Sequence, residues 1–252
     1  MKLSVLMPVY NEADTLREIV ARVLAAPVDL ELIIYDDGST DGSPRILKEI
    51  DDPRVRVVSG WPNRGKGWAV RQALEYATGE AVIIQDADLE YDPQDYVKLL
   101  AVLEKGEARV VYGNRLHPGN ERTSYLRYLV GGMTVSFFTN LLYGSRIGDE
   151  PTCYKLFDAR LIKSLNLRHK RFGFCPEVTA KALRLGYSIV DVPIRYSPRS
   201  FRQGKKIKWK DGIHALWTLL KIRFQSRRKL VKPGAELPGM DLTTDYRRRT
   251  TD

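Results

Sequence analysis

The stretch VIIQDADLEYDP, residues 82–93, decides the fold. Val82, Ile83 and Ile84 read as a short strand apolar on both faces, the pattern of a buried parallel strand. The run then meets Asp86, Asp88, Glu90 and Asp92 within seven residues. Acids gathered at the mouth of a buried strand, in a chain of net charge +10, demand something that offsets them.

On either side of this stretch, strand and helix alternate. KLSVLMPVY, DLELIIYDD, RVRVVSG and ARVVYGNR read as strands. EADTLREIVARVLAA, DGSPRILKEI (with Asp41 as cap), GKGWAVRQALEYATG and DPQDYVKLLAVLEKG read as helices. Such alternation implies right-handed crossovers and a doubly wound, mostly parallel α/β sheet. Sheets of this kind bind ligands beyond the carboxyl ends of their strands. The second half is less regular. Residues 123–143 read as one long helix or two short ones, TCYKLFDARLI as a strand and turn, PEVTAKALRLGY as a helix and SIVDVPIRY as a strand. Residues 209–225 read as a basic amphipathic helix, with Ile213, Leu216, Trp217 and Leu220 along its apolar face. We expect one domain over 1–228, with a nucleotide-sugar-binding half at 1–113 and an acceptor half at 114–228. We expect a mobile polar tail at 229–252.

Three strand ends carry polar clusters: Pro8, Tyr10, Asn11 and Glu12; Asp36, Asp37, Ser39 and Asp41; and Asp86, Asp88 and Glu90. Residues two apart on an extended chain share a face, so Asp86 and Asp88 crowd their charges unless a cation joins them. Hard oxygen donors suit Mg²⁺ or Mn²⁺, with water and phosphate completing the shell. No Gly-x-Gly-x-x-Gly follows the first strand and no Walker lysine motif is present. NRGKG at 63–67, with Lys66, places glycines and a lysine before a helix, where phosphate can approach.

Charge is placed unevenly. Residues 199–229 hold eleven Lys and Arg against one acid, Asp211, and the remainder of the chain balances. The basic surplus is confined to one loop and one helix, without a stacking platform or helix-turn-helix signal, which argues against a nucleic-acid-binding protein. Cys153 and Cys175 have neither metal spacing nor the numbers of a disulfide framework. No apolar run approaches the ~20 residues that cross a bilayer, and no signal peptide opens the chain. A cytoplasmic protein follows as the expectation.

SVLMPVYNE, IIYDDGSTDGS, NRGKG, DADLE, YGNR, DEPTCYKLF, FGFCPEVTAK and SPRSFRQGKKIKWKDG, taken in order, resemble family 2 glycosyltransferases of the GT-A fold. Within that family the resemblance is to dolichol- and polyprenol-phosphate sugar synthases. It implies transfer of a hexose, with inversion, from a nucleotide diphosphate sugar of the GDP-mannose or UDP-glucose type to a lipid phosphate. By that resemblance Pro8, Tyr10, Glu12, Asp36 and Asp37 meet the nucleotide, with Lys66 near its phosphates. Asp86, Asp88 and Glu90 meet the metal and diphosphate. Arg115 and Arg127 meet the acceptor phosphate, and Arg199, Lys205 and Lys206 close over the donor. Asp149 stands where relatives with hydroxyl acceptors place a catalytic acid. Gly131 departs from the resemblance, since relatives often carry Ser there. Larger relatives add two membrane-spanning helices; here the contact with an anionic membrane is expected to be peripheral, through the helix at 209–225 and the apolar stretch 123–143. Alternatives are a same-fold transferase acting on a glycan or protein hydroxyl, and a non-catalytic nucleotide-binding module. The oligomeric state is left open.

Overall fold

The computed structural model describes residues 1–116, 120, 126–198 and 209–238, the side chains of 126–128 and 209–210 excepted. The first half follows the sequence reading: β1 (Leu3–Val9), α1 (Ala13–Leu24), β2 (Leu30–Asp36), α2 (Ser43–Lys48), β3 (Val55–Ser59), α3 (Lys66–Leu74), β4 (Ala81–Ile84), α4 (Tyr96–Glu104) and β5 (Val110–Asn114). Each helix forms because its apolar residues return on one side. In α1, Leu16, Ile19, Val20 and Val23 are buried at helical spacing, and each full burial is worth roughly 1.5–3 kcal/mol. The 92–106 helix begins differently from the expectation. Asp92 accepts the Gln94 amide at 3.0 Å, and Pro93–Asp95 form a 3-10 turn before α4 starts.

The second half supplies α5 (Leu126–Tyr143), β6 (Lys155–Asp158), α6 (Ala159–Ser164), α7 (Phe174–Arg184), β7 (Ile189–Pro193) and α8 (Trp209–Arg223). Residues 126–143 are one helix, running through Gly131 and Gly132 without a break. Among the described residues the strands form one seven-stranded sheet, ordered β3-β2-β1-β4-β6-β5-β7. All pairings are parallel except those of β6, which runs antiparallel to β4 and β5. A mostly parallel sheet is what the resemblance to the GT-A fold implies. One core spans both halves, since Ile83, Val111 and Leu156 are buried in the same apolar cluster.

The expected tail from 229 is corrected over 229–238. Leu230 and Leu237 are buried. The amides of Asn166 and Lys232 reach Leu230 O and Ser164 O at 2.9 and 2.8 Å, fixing the chain against the end of α6. Two apolar anchors in a polar stretch suffice to hold it. Residues 239–252 lie outside the described residues.

Register places the site. Val9 of β1 is level with Asp36 of β2, and Asp36 with Ser59 of β3. Leu6 is level with Ile84 of β4, and the pairing continues as the Gln85 amide donates to Leu6 O at 3.0 Å. The acids after β4 therefore emerge beside the end of β1. Two non-glycine residues take positive φ at this edge: Asn11 (54°) after β1, and Leu89 (60°) in the turn after Asp88. Asparagine tolerates that conformation, whereas for Leu it costs about 1–2 kcal/mol, a strain characteristic of functional turns.

Candidate active site

The turn after β4 is held from behind. Gln85 is fully buried. Its Oε1 accepts the hydroxyls of Tyr96 and Tyr154 at 2.5 and 2.6 Å, and its Nε2 donates to Asp86 O at 2.8 Å. Tyr91 stacks on Tyr154 with centroids 4.6 Å apart, meets Tyr196 edge-on at 5.3 Å, and accepts the Cys153 amide at 2.9 Å. A tyrosine-lined wall thus fixes the backbone from which Asp86 and Asp88 project. The sequence reading did not name Gln85 or these tyrosines. The available signal was a Gln ending an apolar strand run, since a buried amide needs partners.

In front of the wall, Lys66 Nζ lies 2.6 Å from Asp86 Oδ1 and 2.8 Å from Oδ2, and 3.4 Å from Cys153 Sγ. Burial opposes the ammonium charge, yet its neighbours, the Asp86 carboxylate foremost, together outweigh it and hold Lys66 well above the ordinary lysine range. NRGKG is therefore tied to DADLE by an ion pair. It is tied equally to the end of β2. The Asp37 carboxylate accepts the Arg64 amide at 3.0 Å and the Gly65 amide at 2.6 Å. Gly65 has φ +97°, and a Cβ there would come within 2.7 Å of Arg171 Cγ. Asp37 is buried, and desolvation pushes its carboxyl up despite those two amides. Asp36 accepts the Ser39 amide at 3.0 Å. Asp41, read as the cap of α2, accepts the first amides of both α2 (Ser43, 2.9 Å) and α1 (Ala13, 3.1 Å).

Pro8 lies within β1, Tyr10 is partly exposed just beyond it, and Glu12 precedes α1, so these three stand at the same edge as the acids. Asp88 Oδ1 accepts the Glu90 amide at 3.2 Å. Glu90 turns away: its Oε2 accepts the Tyr196 hydroxyl at 2.8 Å, and its carbonyl accepts the Ser197 amide at 2.9 Å. Among the described residues no three Asp, Glu, His or Cys side chains converge as a metal-holding group. Asp86, Asp88 and Glu90 are not brought together as one ligand set. What remains is a pair of hard carboxylates beside a lysine, a donor set that fits Mg²⁺ or Mn²⁺ when a diphosphate supplies further oxygens.

Across the mouth, Arg115 and Asp149 make a forked pair. Nε donates to Oδ2 at 2.7 Å and Nη2 to Oδ1 at 2.8 Å, while the Arg115 amide adds a third bond at 3.0 Å. The guanidinium carbon also lies 5.1 Å from the Tyr196 ring centroid. Burial would raise the Asp149 carboxyl, but Arg115 outweighs it and holds it below the ordinary range. Asp149 is thus an ionised carboxylate consumed by Arg115, an arrangement that opposes a free catalytic acid or base. Arg127 lies in the first turn of α5, and its side chain is outside what is described; Arg199, Lys205 and Lys206 lie outside the described residues.

With this geometry in hand, the relatives can be placed. Residues 4–165 match the family described as Glycosyl transferase family 2. The chain belongs to glycosyl transferase family 2. It is 29% identical over 211 residues to the polyprenol monophosphomannose synthase of Mycolicibacterium smegmatis, covering 80% of this chain and 79% of that protein. It is 28% identical to an undecaprenyl-phosphate 4-deoxy-4-formamido-L-arabinose transferase of Proteus mirabilis, covering 81% of this chain and 62% of that longer protein. Its fold matches the crystal structure of glucosyl-3-phosphoglycerate synthase from Mycobacterium tuberculosis in complex with Mn²⁺, UDP and glucosyl-3-phosphoglycerate, with TM-score 0.64 and 23% identity, over 88% of this chain and 79% of that one. This family 2 protein is a glycosyltransferase of GT-A fold, similar to polyprenyl-phosphate sugar transferases.

Proposed function

We propose that this glycosyltransferase moves a hexose from a nucleotide diphosphate sugar to a polyprenyl phosphate, with inversion, at the cytoplasmic face of a membrane. The observation that carries the reading is the opposition of charges at one sheet edge: Asp86, Asp88 and Lys66 on the donor side, and the Arg115–Asp149 fork on the acceptor side. The names of the mannose synthase and the arabinose transferase support the lipid-phosphate acceptor.

Asp88, with Asp86 beside it, would hold Mg²⁺ or Mn²⁺, and the cation when bound supplies charge to the departing diphosphate. The complex of the mycobacterial synthase with Mn²⁺ and UDP supports that choice of partner. Lys66 holds Asp86 and adds a positive charge near the leaving group. Pro8, Tyr10, Glu12, Asp36 and Asp37 frame the nucleotide, Asp37 by fixing the NRGKG amides. Arg199, Lys205 and Lys206 complete the donor pocket in this reading. Arg115, joined by Arg127, orients the acceptor phosphate through the guanidinium edge that Asp149 leaves free. A phosphate monoester with a second pKa of about 6 is already mostly dianionic at pH 7, so no general base is required.

Membrane contact is the second part of the proposal. Among the described residues no helix is long and apolar enough to cross a membrane. Instead α5 and α8 lie side by side, with the Tyr143 hydroxyl donating to Leu219 O at 2.6 Å. Both present exposed apolar ridges: Phe137 and Leu141 on α5, and Ile213 and Trp217 on α8 with Phe224 directly after it. The two cysteines are free, which suits a reducing compartment.

Incubation with a panel of radiolabelled sugar nucleotides, polyprenyl phosphate and Mn²⁺ tests the reading. Label should enter the butanol phase as a mild-acid-labile lipid. Label recovered only on a glycan or protein would replace it with the hydroxyl-acceptor alternative.

A further inference from the structure

A cavity lies away from the sheet edge, between α7, α8 and the turn after α8. It measures about 130 Å³ and is lined by Arg168, Glu177, Lys181, Lys221 and Lys229, with His169 at its wall. Its single carboxylate is consumed. Glu177 accepts the Arg168 and His169 amides at 2.9 and 2.8 Å and the Lys181 ammonium at 2.7 Å. Lys181 is spent in turn on Glu177 and Asn166 O. Arg168, Lys221 and Lys229 have no ion-pair partner among the described residues, and all three line this one small concave space. They come from three separate segments: the loop after α6, the α8 helix and the 3-10 turn at Arg227–Lys229. Leu230 is fully buried directly after Lys229, which holds that turn in place. A solvated basic face spreads its charges outward. Here the three border one cavity, where a single anion can meet all of them.

We propose that this cavity is a binding site for a phosphate-class anion, separate from the donor and acceptor sites. A guanidinium and two ammonium groups match a phosphate monoester or diester in charge and in donor count, and the volume admits one such group with water. The anion has two possible sources. The cavity borders the apolar ridge of α8: Lys221 follows Leu220, and Gln225 at the cavity wall follows Phe224. A phospholipid whose chains lie along that ridge would place its headgroup here; a free phosphate would enter from solvent. Only the lipid source rests on the membrane reading given above.

The full-length protein tests this. It has three histidines, so the imidazole of His169 is readily assigned by NMR. Inorganic phosphate, added at constant ionic strength against chloride, should shift the His169 resonance saturably. Lys221→Glu and Arg168→Glu should each weaken that effect more than tenfold. In co-sedimentation, a preference for vesicles containing phosphatidic acid over equally charged phosphatidylglycerol, abolished by Lys221→Glu, assigns the lipid source. A saturable phosphate shift without that preference assigns the free ion. The proposal is overturned if phosphate gives no saturable shift and vesicles show no headgroup preference, or if neither charge reversal changes either result. Thermal stabilisation by UDP or GDP with Mn²⁺ should be unchanged in both variants, which shows that they fold. Its absence from the wild type would count against the transferase reading alone. Lys229→Glu, also at an exposed residue, replaces either variant that fails to fold.

Discussion

Arg115 and Asp149 are bound edge to edge: both carboxylate oxygens take guanidinium hydrogens, at 2.7 and 2.8 Å, and one also takes the Arg115 amide. An aspartate so engaged acts through its arginine. Asp149→Asn should therefore raise the KM for polyprenyl phosphate at least tenfold while leaving the KM for the sugar nucleotide within about twofold. It also leaves a largely buried arginine without its counter-charge, a loss of about 3–5 kcal/mol, so stability is measured alongside. Since Arg115 holds the Asp149 carboxyl below its ordinary range, the carboxylate stays ionised well below neutral pH and the wild-type rate should show no step from it between pH 5.5 and 8.5. An acidic limb in that range, lost in Asp149→Asn, would restore the role of catalytic base.

The Lys66–Asp86 ion pair divides the two aspartates of DADLE. Asp86 is held by Lys66, and Asp88 is the carboxylate proposed to take the cation beside it. Asp88→Ala should abolish both transfer and metal-dependent nucleotide stabilisation with the fold intact. Lys66→Met removes the charge and leaves Asp86 to repel the diphosphate; we expect kcat to fall at least a hundredfold with metal binding retained. Chelator should silence the wild type. Full activity in chelator, or in Asp88→Ala, excludes the metal assignment.

The polar residues at the strand ends were legible in the sequence because their period and their turns are local. The alternation that made the sheet parallel was legible for the same reason. The direction of β6 was not, since LFD in an extended chain reads alike in either orientation and long-range pairing sets the choice. Nor was the division of labour among the acids. Glu90 lies two residues beyond Asp88, yet it serves Tyr196, a residue 106 positions away. Asp37 resembled a nucleotide ligand but is occupied by two amides of NRGKG. Gln85 could be flagged as a polar residue in an apolar run, whereas its two tyrosine partners come from α4 and from just before β6.

Glu31 offers a stability test remote from the chemistry. It sits on β2, where its carboxylate accepts the Ser4 hydroxyl at 2.6 Å, the Thr78 hydroxyl at 2.7 Å and the Lys2 ammonium at 3.0 Å. Burial alone would raise its pKa; these donors outweigh it and bring it down to about 2. A carboxyl depressed on folding stabilises above its unfolded pKa of about 4.3, and the contribution fades as pH falls from there towards 2. Each unit is worth about 1.4 kcal/mol; allowing for partial solvent access, Glu31→Gln should cost of the order of 2 kcal/mol at pH 7. Urea unfolding at pH 7 and at pH 3 checks it. The difference between variant and wild type should shrink at the lower pH; an equal difference at both would mean that packing, not charge, is what Glu31 supplies.

Helix α8 has two faces, and this sets how its membrane role can be tested. Leu219 and Ile222 are buried in the core, so removing the helix would unfold what it is meant to test. Leu216 is only partly buried, and the exposed ridge instead takes in Phe224, at 81%, beside Trp217 at 62%. On α5, Phe137 and Leu141 stand out at 62% and 67%. Large apolar side chains exposed side by side on two packed helices favour an interface over water. The neighbouring Lys221, Arg223, Arg227 and Arg228 favour an anionic one, at about 1 kcal/mol for each basic residue near the surface. Trp217→Glu with Phe137→Glu should leave the melting temperature within a few degrees, because neither side chain is in the core. The pair should lower partitioning onto vesicles with anionic lipid at least tenfold, and wild-type binding should weaken as salt is raised from about 0.05 to 0.3 M through screening. Co-sedimentation reads both effects. If the double variant pellets like the wild type, the ridge does not meet the bilayer. If instead it converts a wild-type dimer to a monomer in sedimentation velocity, the ridge is covered by a second copy of this chain.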